Sequence, residues 1–223
     1  MGLFDCDKKK NKSIKTKTTV ERYLEHLDNN FPKEPEFYSN YSIIEGPSGV
    51  TSIVYKDTSE KSYTSALTYS LSLVKHPEWK FGRPELCISV ESSSIVWGKV
   101  AVFQANKLRG VCPFRYEQTI NFHESISDDS EMDAFFVFVP SSLNKNDYLD
   151  IDIGAEYNIN IAGLYPMYSD ELEVYKKIGL EAFWHHPNFD KYSVRRKRIT
   201  KSKYLLQVTA HLKNAGFGAQ HKD

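Results

Sequence analysis

The chain has 223 residues, a length that fits one domain, and its 29 basic and 29 acidic side chains give a formal net charge of zero. Residues 18–190 hold 26 acidic and 14 basic side chains, whereas residues 1–17 (six Lys, two Asp) and 191–223 (nine Lys or Arg, one Asp) are basic. A body with a net charge of −12 argues against nucleic-acid binding and would attract a basic protein, unless the acidic surface serves only solubility.

These changes in composition predict three segments. Residues 1–16 are rich in Lys and poor in large apolar groups, which predicts a mobile N-terminus. Residues 17–190 have enough aliphatic and aromatic side chains to form one α/β domain. Residues 191–223 form a basic tail that either stays in solvent, folds back on the acidic body or contacts a nucleic acid or a membrane surface.

The first predicted helix spans residues 19–29. Thr18 and Glu21 have the spacing of a capping box, in which the two side chains accept hydrogen bonds from backbone N–H groups of the first turn. A hairpin is predicted around the turn at residues 46–49, and its first strand contains the two isoleucines at positions 43–44.

The middle of the chain alternates between strand and helix patterns. Residues 67–73 give the clearest strand of this half, because Leu and Tyr alternate there with Thr and Ser. A strand at residues 86–90 and a helix starting at Ser93 or Ser94 and ending near residue 106 follow. Residues 134–139 are apolar on both faces, which predicts a central strand.

The last part of the body predicts two strands and a helix. Ile and Asp alternate over residues 149–153, so Asp150 and Asp152 would share one face of a strand. A second strand covers residues 157–161, Pro166 marks its break, and Ser169 is the predicted N-cap of a helix. Taken together, the predicted strands and helices indicate an α+β domain with a mixed, mostly antiparallel sheet packed with about three helices.

The chain has no recognisable catalytic or metal-binding motif. A nucleophile elbow, a phosphate loop and a CxxC pair are all missing from the sequence. Cys87 is predicted to be a small buried group in a strand. Glu181 and His185 are four residues apart on a helix but have no third ligand, and His123 stands in a loop. We therefore predict no catalytic residue, no cofactor and no metal.

Cysteine spacing and hydropathy indicate the cellular compartment of the protein. Cys6, Cys87 and Cys112 are far apart in the sequence, which disfavours a disulfide framework. The first residues lack the apolar core of a signal peptide, and no run of eighteen apolar residues occurs. These features predict a cytoplasmic protein with no membrane partner.

Three passages, taken in order, resemble the suppressor of fused family. They are residues 67–72 (LTYSLS), 83–88 (RPELCI) and 161–173 (IAGLYPMYSDELE), and the similarity extends over about residues 18–186. The chain departs from the family pattern at Ser70, where a Gly is commonly found. Animal members have an additional C-terminal domain, so this chain is more similar to the single-domain bacterial members.

The resemblance implies a protein without enzymatic activity that holds a protein partner. The animal member of the family sequesters a transcription factor, and bacterial members are regarded as immunity proteins that neutralise polymorphic toxins. The acidic body agrees with that second role, because many toxic nucleases are basic. Binding would proceed by electrostatic steering, followed by burial of aromatic anchors or by addition of a strand at a sheet edge.

The predicted partner-binding residues are acidic side chains in the matched passages and in the stretch before the last strand: Glu85, Asp150, Asp152, Glu156, Asp170 and Glu171. The alternative roles are solvation of a strand end for Glu85 and helix electrostatics for Asp170 and Glu171. The alternative function is a metal-assisted hydrolase that uses His123 or His185 with neighbouring carboxylates.

Overall fold

The structure is a computed structural model that describes residues 16–56 and 62–200. These residues form seven strands and four helices. The strands are Glu36–Ser39 (β1), Thr51–Lys56 (β2), Tyr63–Tyr69 (β3), Arg83–Glu91 (β4), Thr119–Asn121 (β5), Ala134–Phe138 (β6) and Ile159–Met167 (β7). The helices are Thr19–Asp28 (α1), Val96–Leu108 (α2), Lys145–Tyr148 (α3) and Leu172–Trp184 (α4).

All seven strands belong to one sheet, in the order β1-β2-β3-β4-β7-β6-β5. Neighbouring strands are antiparallel except β4 and β7, which pair in parallel at the centre, with Arg83 opposite Ile159. The predicted α+β class with a mostly antiparallel sheet is therefore confirmed. Three helices of ten to thirteen residues agree with the predicted number.

The helices cover both faces of the sheet. Along β2, Val54 packs in the apolar cluster around α2, while Ile53 and Tyr55 pack in the cluster around α1. Gly98 lets α2 approach the sheet closely, because a Cβ there would lie 2.8 Å from Val54 Cγ2. Helix α4 covers the far part of the α1 face, over β6 and the end of β7. Each fully buried aliphatic or aromatic side chain stabilises this packing by about 1.5–3 kcal/mol.

The capping box that starts α1 is confirmed. Glu21 N donates to Thr18 Oγ1 at 3.3 Å, and Thr18 N donates to Glu21 Oε2 at 2.7 Å. Residues 1–15 and 201–223, which make up nearly all of the predicted N-terminal segment and most of the predicted tail, lie outside the described residues. Within the described ranges, no helix has the length and apolarity needed to cross a bilayer.

Three predicted strands differ from the structure. The first strand of the hairpin is β1, which ends at Ser39 and pairs with β2. Residues 43–44 are therefore in the connection and not in a strand. Strand β3 ends at Tyr69, because Ser70 takes a left-handed conformation (φ 87°) and a 3-10 turn follows. Residues 149–153 form one isolated bridge instead of a strand, since Asp150 also has a positive φ of 55°.

Pro166 does not break the last strand, as the sequence predicted, but lies inside β7 opposite Phe135. Strand β4 pairs only with residues 159–163 of β7, so at Pro166 one side of β7 has no neighbouring strand among the described residues. The missing N–H of proline is tolerated there, as it is in an edge strand. Ser169 is likewise not an N-cap, because its N–H and hydroxyl both donate to the carboxylate of Asp133 at 2.7 Å.

Candidate protein-interaction site

Glu85 is buried at the start of β4, where its hydrogen bonds support the fold. Its carboxylate, with no exposed surface, accepts hydrogen bonds from Thr68 Oγ1 at 2.7 Å and from Ser72 N at 3.0 Å. Removal from water raises the pKa of this carboxyl above its usual value. Two of the passages that carry the family resemblance, residues 67–72 and 83–88, therefore meet here. The contact fixes the left-handed turn that ends β3.

Glu171 is also buried, where it holds the start of the predicted basic tail. Its two carboxylate oxygens accept hydrogen bonds from Arg196 Nη1 and Nη2, both at 2.6 Å, and neither side chain is more than 2% exposed. The backbone N–H of Ile199 donates to the same carboxylate at 2.8 Å. This bidentate contact, defined here as the Glu171–Arg196 clasp, fastens residues 196–199 to the end of β7.

The four other predicted partner-binding residues are exposed, but they lie at two ends of β7. Asp170 follows the strand and accepts a hydrogen bond from Arg198 Nη1 at 3.2 Å. Asp150, Asp152 and Glu156 precede the strand. The nine residues of β7 make eight steps of about 3.3 Å, so the strand alone separates the two groups by roughly 26 Å. The structure therefore brings only the latter three into one patch.

These three side chains belong to an acidic loop, residues 147–156, which also contains Asp147 and has no Lys or Arg. The alternation seen in the sequence is retained without a strand, because Ile151 and Ile153 are buried beneath α1 while Asp150 and Asp152 are exposed. Gly154, with a φ of 71°, turns the chain and donates its N–H to Asp152 Oδ1 at 2.7 Å. The backbone thus presents the carboxylates to solvent.

An aromatic cleft of about 330 Å³ opens where β4 and β7 begin. Its walls include the aromatic and proline side chains Trp79, Phe81, Pro84, Pro113, Phe114 and Tyr116. Trp79 is fixed by a hydrogen bond from Nε1 to the carbonyl of Pro113 at 2.9 Å. Phe81 is 87% exposed at the edge of this cleft, and its burial by another molecule would be favourable by about 1.5–3 kcal/mol.

Asn160 joins the acidic loop to the aromatic cleft. Its Oδ1 accepts a hydrogen bond from the backbone N–H of Asp150 at 2.8 Å, and its Nδ2 donates to the carbonyl of Phe81 at 2.5 Å. Gly82 allows this approach, because a Cβ there would lie 2.6 Å from Asn160 Nδ2. The cleft and the loop are therefore neighbours on one surface, called the cleft–loop site below.

The sequence did not reveal the cleft. Phe81 lies in a connection between two predicted strands, and an exposed aromatic residue in a loop looks the same in sequence as a buried one. The available signal was the neighbouring Gly82, which with a φ of 101° marks a special backbone conformation beside a large side chain.

The groups considered for catalysis do not form a catalytic arrangement. Burial raises the pKa of Cys87 to about 11, which opposes formation of a thiolate nucleophile. His123 and His185 are both exposed, and His186 is buried with Nδ1 accepting the N–H of Asn188 at 3.1 Å. Within residues 16–56 and 62–200, no group of three His, Cys, Asp or Glu side chains could hold a metal. The hydrolase alternative has no support from this geometry.

No family model matches the sequence, and no curated protein matches it. Solved structures do share the fold. One is described as a homologue of suppressor of fused from Neisseria gonorrhoeae FA 1090; it is 14% identical, with a TM-score of 0.59, and the match covers 79% of this chain and 94% of that one.

Drosophila suppressor of fused is also 14% identical, with a TM-score of 0.58, over 88% of this chain and 55% of that chain. A chain of the Sufu–Fu complex gives the same identity and TM-score, over 88% of this chain and 96% of its own length. The protein thus has a suppressor-of-fused-like fold, as the three sequence passages predicted. It spans about half of the Drosophila chain.

Proposed function

We propose that the protein is a non-enzymatic binding domain that sequesters a protein partner at the cleft–loop site. The observation that supports this most directly is Phe81, a large apolar side chain left 87% exposed beside a concave aromatic surface. Aromatic side chains next to well-formed pockets supply most of the free energy in many protein interfaces. A phenylalanine in this position is suited to burial by a partner.

The acidic loop supports a partner with a basic surface. Its four carboxylates are not balanced by any Lys or Arg within the loop, and the loop adjoins the cleft through Asn160. Charges at the rim of an interface raise the association rate, while the apolar centre limits dissociation. Asp150, Asp152 and Glu156 would thus steer the partner, and Phe81 would anchor it. Asp170 lies outside this site, and the buried Glu85 and Glu171 would act only by holding the fold.

The fold neighbours agree with a binding role. One of the solved structures with this fold is a complex of Sufu with Fu, so that protein binds a protein partner. We extend this proposal to an immunity function, in which the partner is a basic toxin neutralised by occlusion. Support for this extension comes from the acidic body and from the sequence resemblance to single-domain bacterial members of the family.

The binding site can be tested with a photo-crosslinking amino acid placed at position 81 in the native host. We expect one discrete covalent partner, identified by mass spectrometry. Phe37 gives a matched control, because it is an exposed phenylalanine (55%) on β1, three strands away from β4. Equal capture at positions 37 and 81, or no capture at 81, would contradict the proposed site.

The immunity function requires a second experiment with the captured partner. Expression of that partner alone should arrest growth of a test strain, and co-expression of the wild-type chain should restore growth. Phe81→Ala should lose this protection, while Phe37→Ala should keep it. If the captured partner does not affect growth, the proposed binding function stands and the proposed immunity function is wrong.

A further inference from the structure

The residues that line the aromatic cleft form two walls. Residues 78–82 and 113–116 make up the first wall, and hydrogen bonds between these two segments hold them together. Leu149 and residues 160–162 of β7 make up the second wall. Because Leu149 belongs to the acidic loop, the second wall continues directly into that loop.

The first wall carries a net positive charge. Its charged residues are Glu78, Lys80 and Arg115. Arg115 Nη1 lies 3.1 Å from Glu78 Oε2, so these two charges balance each other. Lys80 is exposed and forms no ion pair with any residue that the structure describes. An approaching group therefore meets one uncompensated ammonium group on this side, called the basic wall below.

The second wall presents the opposite charge next to the cleft. Asp150 follows Leu149, and its backbone N–H is held by Asn160 Oδ1 at 2.8 Å. Its exposed carboxylate has no ion pair within the described ranges. Arg22 packs against Gly154, four residues farther along the acidic loop. Asp150 is therefore the carboxylate of the loop that borders the cleft, and this side is called the acidic wall below.

Asn160 lies between the two uncompensated charges. Its side-chain amide accepts the N–H of Asp150 at 2.8 Å and donates to the carbonyl of Phe81 at 2.5 Å. Lys80, the neighbour of Phe81 in the chain, and Asp150 thus stand on either side of this amide without pairing with each other. A ligand that spans the cleft can contact both charges.

The centre of the cleft suits an apolar side chain. The indole N–H of Trp79 already donates to the carbonyl of Pro113 at 2.9 Å, and the amide of Asn160 is used in the two bonds just described. Pro84 and Pro113 have no N–H to offer. With about 330 Å³, the cleft is near the lower end of the range for ligand pockets, which fits one large side chain better than a cofactor.

Both walls contain strained backbone. Phe114 (φ 49°) and Glu117 (φ 72°) enclose two residues of the basic wall between them, and Asp150 of the acidic wall has a φ of 55°. The left-handed region has a steric cost for every residue with a Cβ. Strain of this kind persists only where the surrounding structure holds it, and it clusters at binding and catalytic sites. Its presence on both walls supports a binding role for each.

We infer that the cleft binds an extended segment of the partner in which one apolar side chain fills the centre, an acidic residue on one side of it contacts Lys80 and a basic residue on the other side contacts Asp150. This inference rests on the proposed function, because it names the part of the partner that the cleft–loop site binds. The anchor of the partner is thus flanked by charges of opposite sign. Steering by the acidic loop still applies, since it acts on the whole basic surface of the partner.

The test uses isotope-labelled full-length protein and synthetic heptapeptides. The reference peptide has a central phenylalanine between two glycines, with two glutamates at one end and two lysines at the other. The indole N–H signal of Trp79 reports binding, and the signals of Trp97 and Trp184, which do not line the cleft, are internal references. We expect a saturable shift of Trp79 with a Kd of about 1 mM or below. Replacing the central phenylalanine by glycine should weaken binding at least about tenfold.

Matched peptides and variants test the two charges separately. Peptides with glutamates at both ends or lysines at both ends should bind about two- to fivefold more weakly than the reference at low salt, as expected for exposed charge pairs. Lys80→Glu should make the peptide with lysines at both ends the best ligand. Asp150→Asn, which tolerates a positive φ, should remove the advantage of lysine. Lys99→Glu is the control, because Lys99 lies on α2 over the ring of Tyr38 in β1, and it should change nothing.

Three outcomes would overturn the inference: no shift of Trp79 at about 10 mM reference peptide, equal or tighter binding of the like-charged peptides to the wild type, or a shift of Trp79 when the protein alone is concentrated, which would mean that a second copy fills the cleft. If any of these occurs while position 81 still captures a partner, the inference fails and the proposed function stands. If the reference peptide binds with the expected charge dependence and position 81 captures nothing in the native host, the proposed function fails and the ligand chemistry of the cleft stands.

Discussion

At the Met167 end of β7, Glu171 is buried against Arg196 at 2.6 Å, whereas at the Ile159 end Asp150, Asp152 and Glu156 face solvent in a loop that has no Lys or Arg. The clasp satisfies its charge internally and is not available to a partner. The three carboxylates of the acidic loop are exposed, and Arg22 packs on the loop at Gly154. Burial with a counter-charge, and not the acidic residue type, therefore separates the structural carboxylates from those that we propose to contact a partner.

The clasp should give the largest effect on stability. Arg196→Ala leaves the Glu171 carboxylate buried without its partner, and breaking such a pair costs about 3–5 kcal/mol in the free energy of unfolding. Urea unfolding followed by tryptophan fluorescence measures this change.

Arg198→Ala is the control for that experiment. This side chain binds Asp170 and Glu131, but it is 42% exposed, so we expect a loss of at most about 1 kcal/mol. Equal losses for Arg196→Ala and Arg198→Ala would show that burial does not distinguish the two pairs.

Glu85 should give the next largest effect. Glu85→Ala removes the acceptor for Thr68 Oγ1 and Ser72 N, and leaving buried donors unpaired costs about 1–3 kcal/mol. Because burial raises its pKa, the folded state binds the Glu85 proton more tightly than the unfolded state does. Stability should therefore decrease as the pH rises from about 4.5, the ordinary value, through the raised pKa.

Glu85→Gln tests the pH dependence separately, because the amide does not titrate. Its free energy of unfolding, measured in urea at a series of pH values, should lack that part of the decrease. Parallel curves for the wild type and Glu85→Gln would mean that Glu85 titrates alike in the two states.

The acidic loop should affect binding more than stability. Reversing Asp150, Asp152 and Glu156 to Lys should slow association with the captured partner about tenfold or more at low salt, and the difference should shrink as salt is added. Stopped-flow association rates give the measurement. Urea unfolding should show a loss of only about 1 kcal/mol, because the three side chains are exposed but Asp152 accepts the Gly154 N–H and Asp150 has a positive φ. An unchanged association rate at low salt would exclude steering by this loop.

Local patterns predicted the fold class and most of the elements. The capping box at Thr18 fixed the start of α1, and alternation over residues 86–90 identified β4, since these signals act within a few residues. The strand ends were predicted less well. Pro166 lies in β7 because β4 stops short of it, and that fact depends on strand pairing between residues far apart in the sequence.

The candidate site could be predicted only in part. Asp150, Asp152 and Glu156 were identified from their charge, and the structure places them in one loop. Glu85 and Glu171 looked equivalent to them in sequence, because their burial depends on Thr68, Ser72 and Arg196, which are 13 to 25 residues away. Phe81 had only an indirect sequence signal, the neighbouring Gly82, since its position in the cleft is set by the hydrogen bond from Asn160, 79 residues later.

Ser70 gives the smallest expected effect and lies in the left-handed turn that Glu85 holds. It has a φ of 87°, in the left-handed region that glycine adopts without steric cost. Ser70→Gly should relieve that cost, which is about 1–2 kcal/mol, while losing part of the gain to the greater freedom of glycine in the unfolded chain. A net rise of about 0.5–1 kcal/mol in the free energy of unfolding is expected from the two opposing effects.

Urea unfolding of Ser70→Gly beside Ser70→Ala completes the test. Alanine keeps the Cβ and therefore the strain, so it should not stabilise the protein. If alanine raises the stability as much as glycine does, the hydroxyl and not the backbone conformation is the unfavourable feature. A gain for glycine alone would show that the turn held by Glu85 imposes a positive φ at this residue at a cost to the serine side chain.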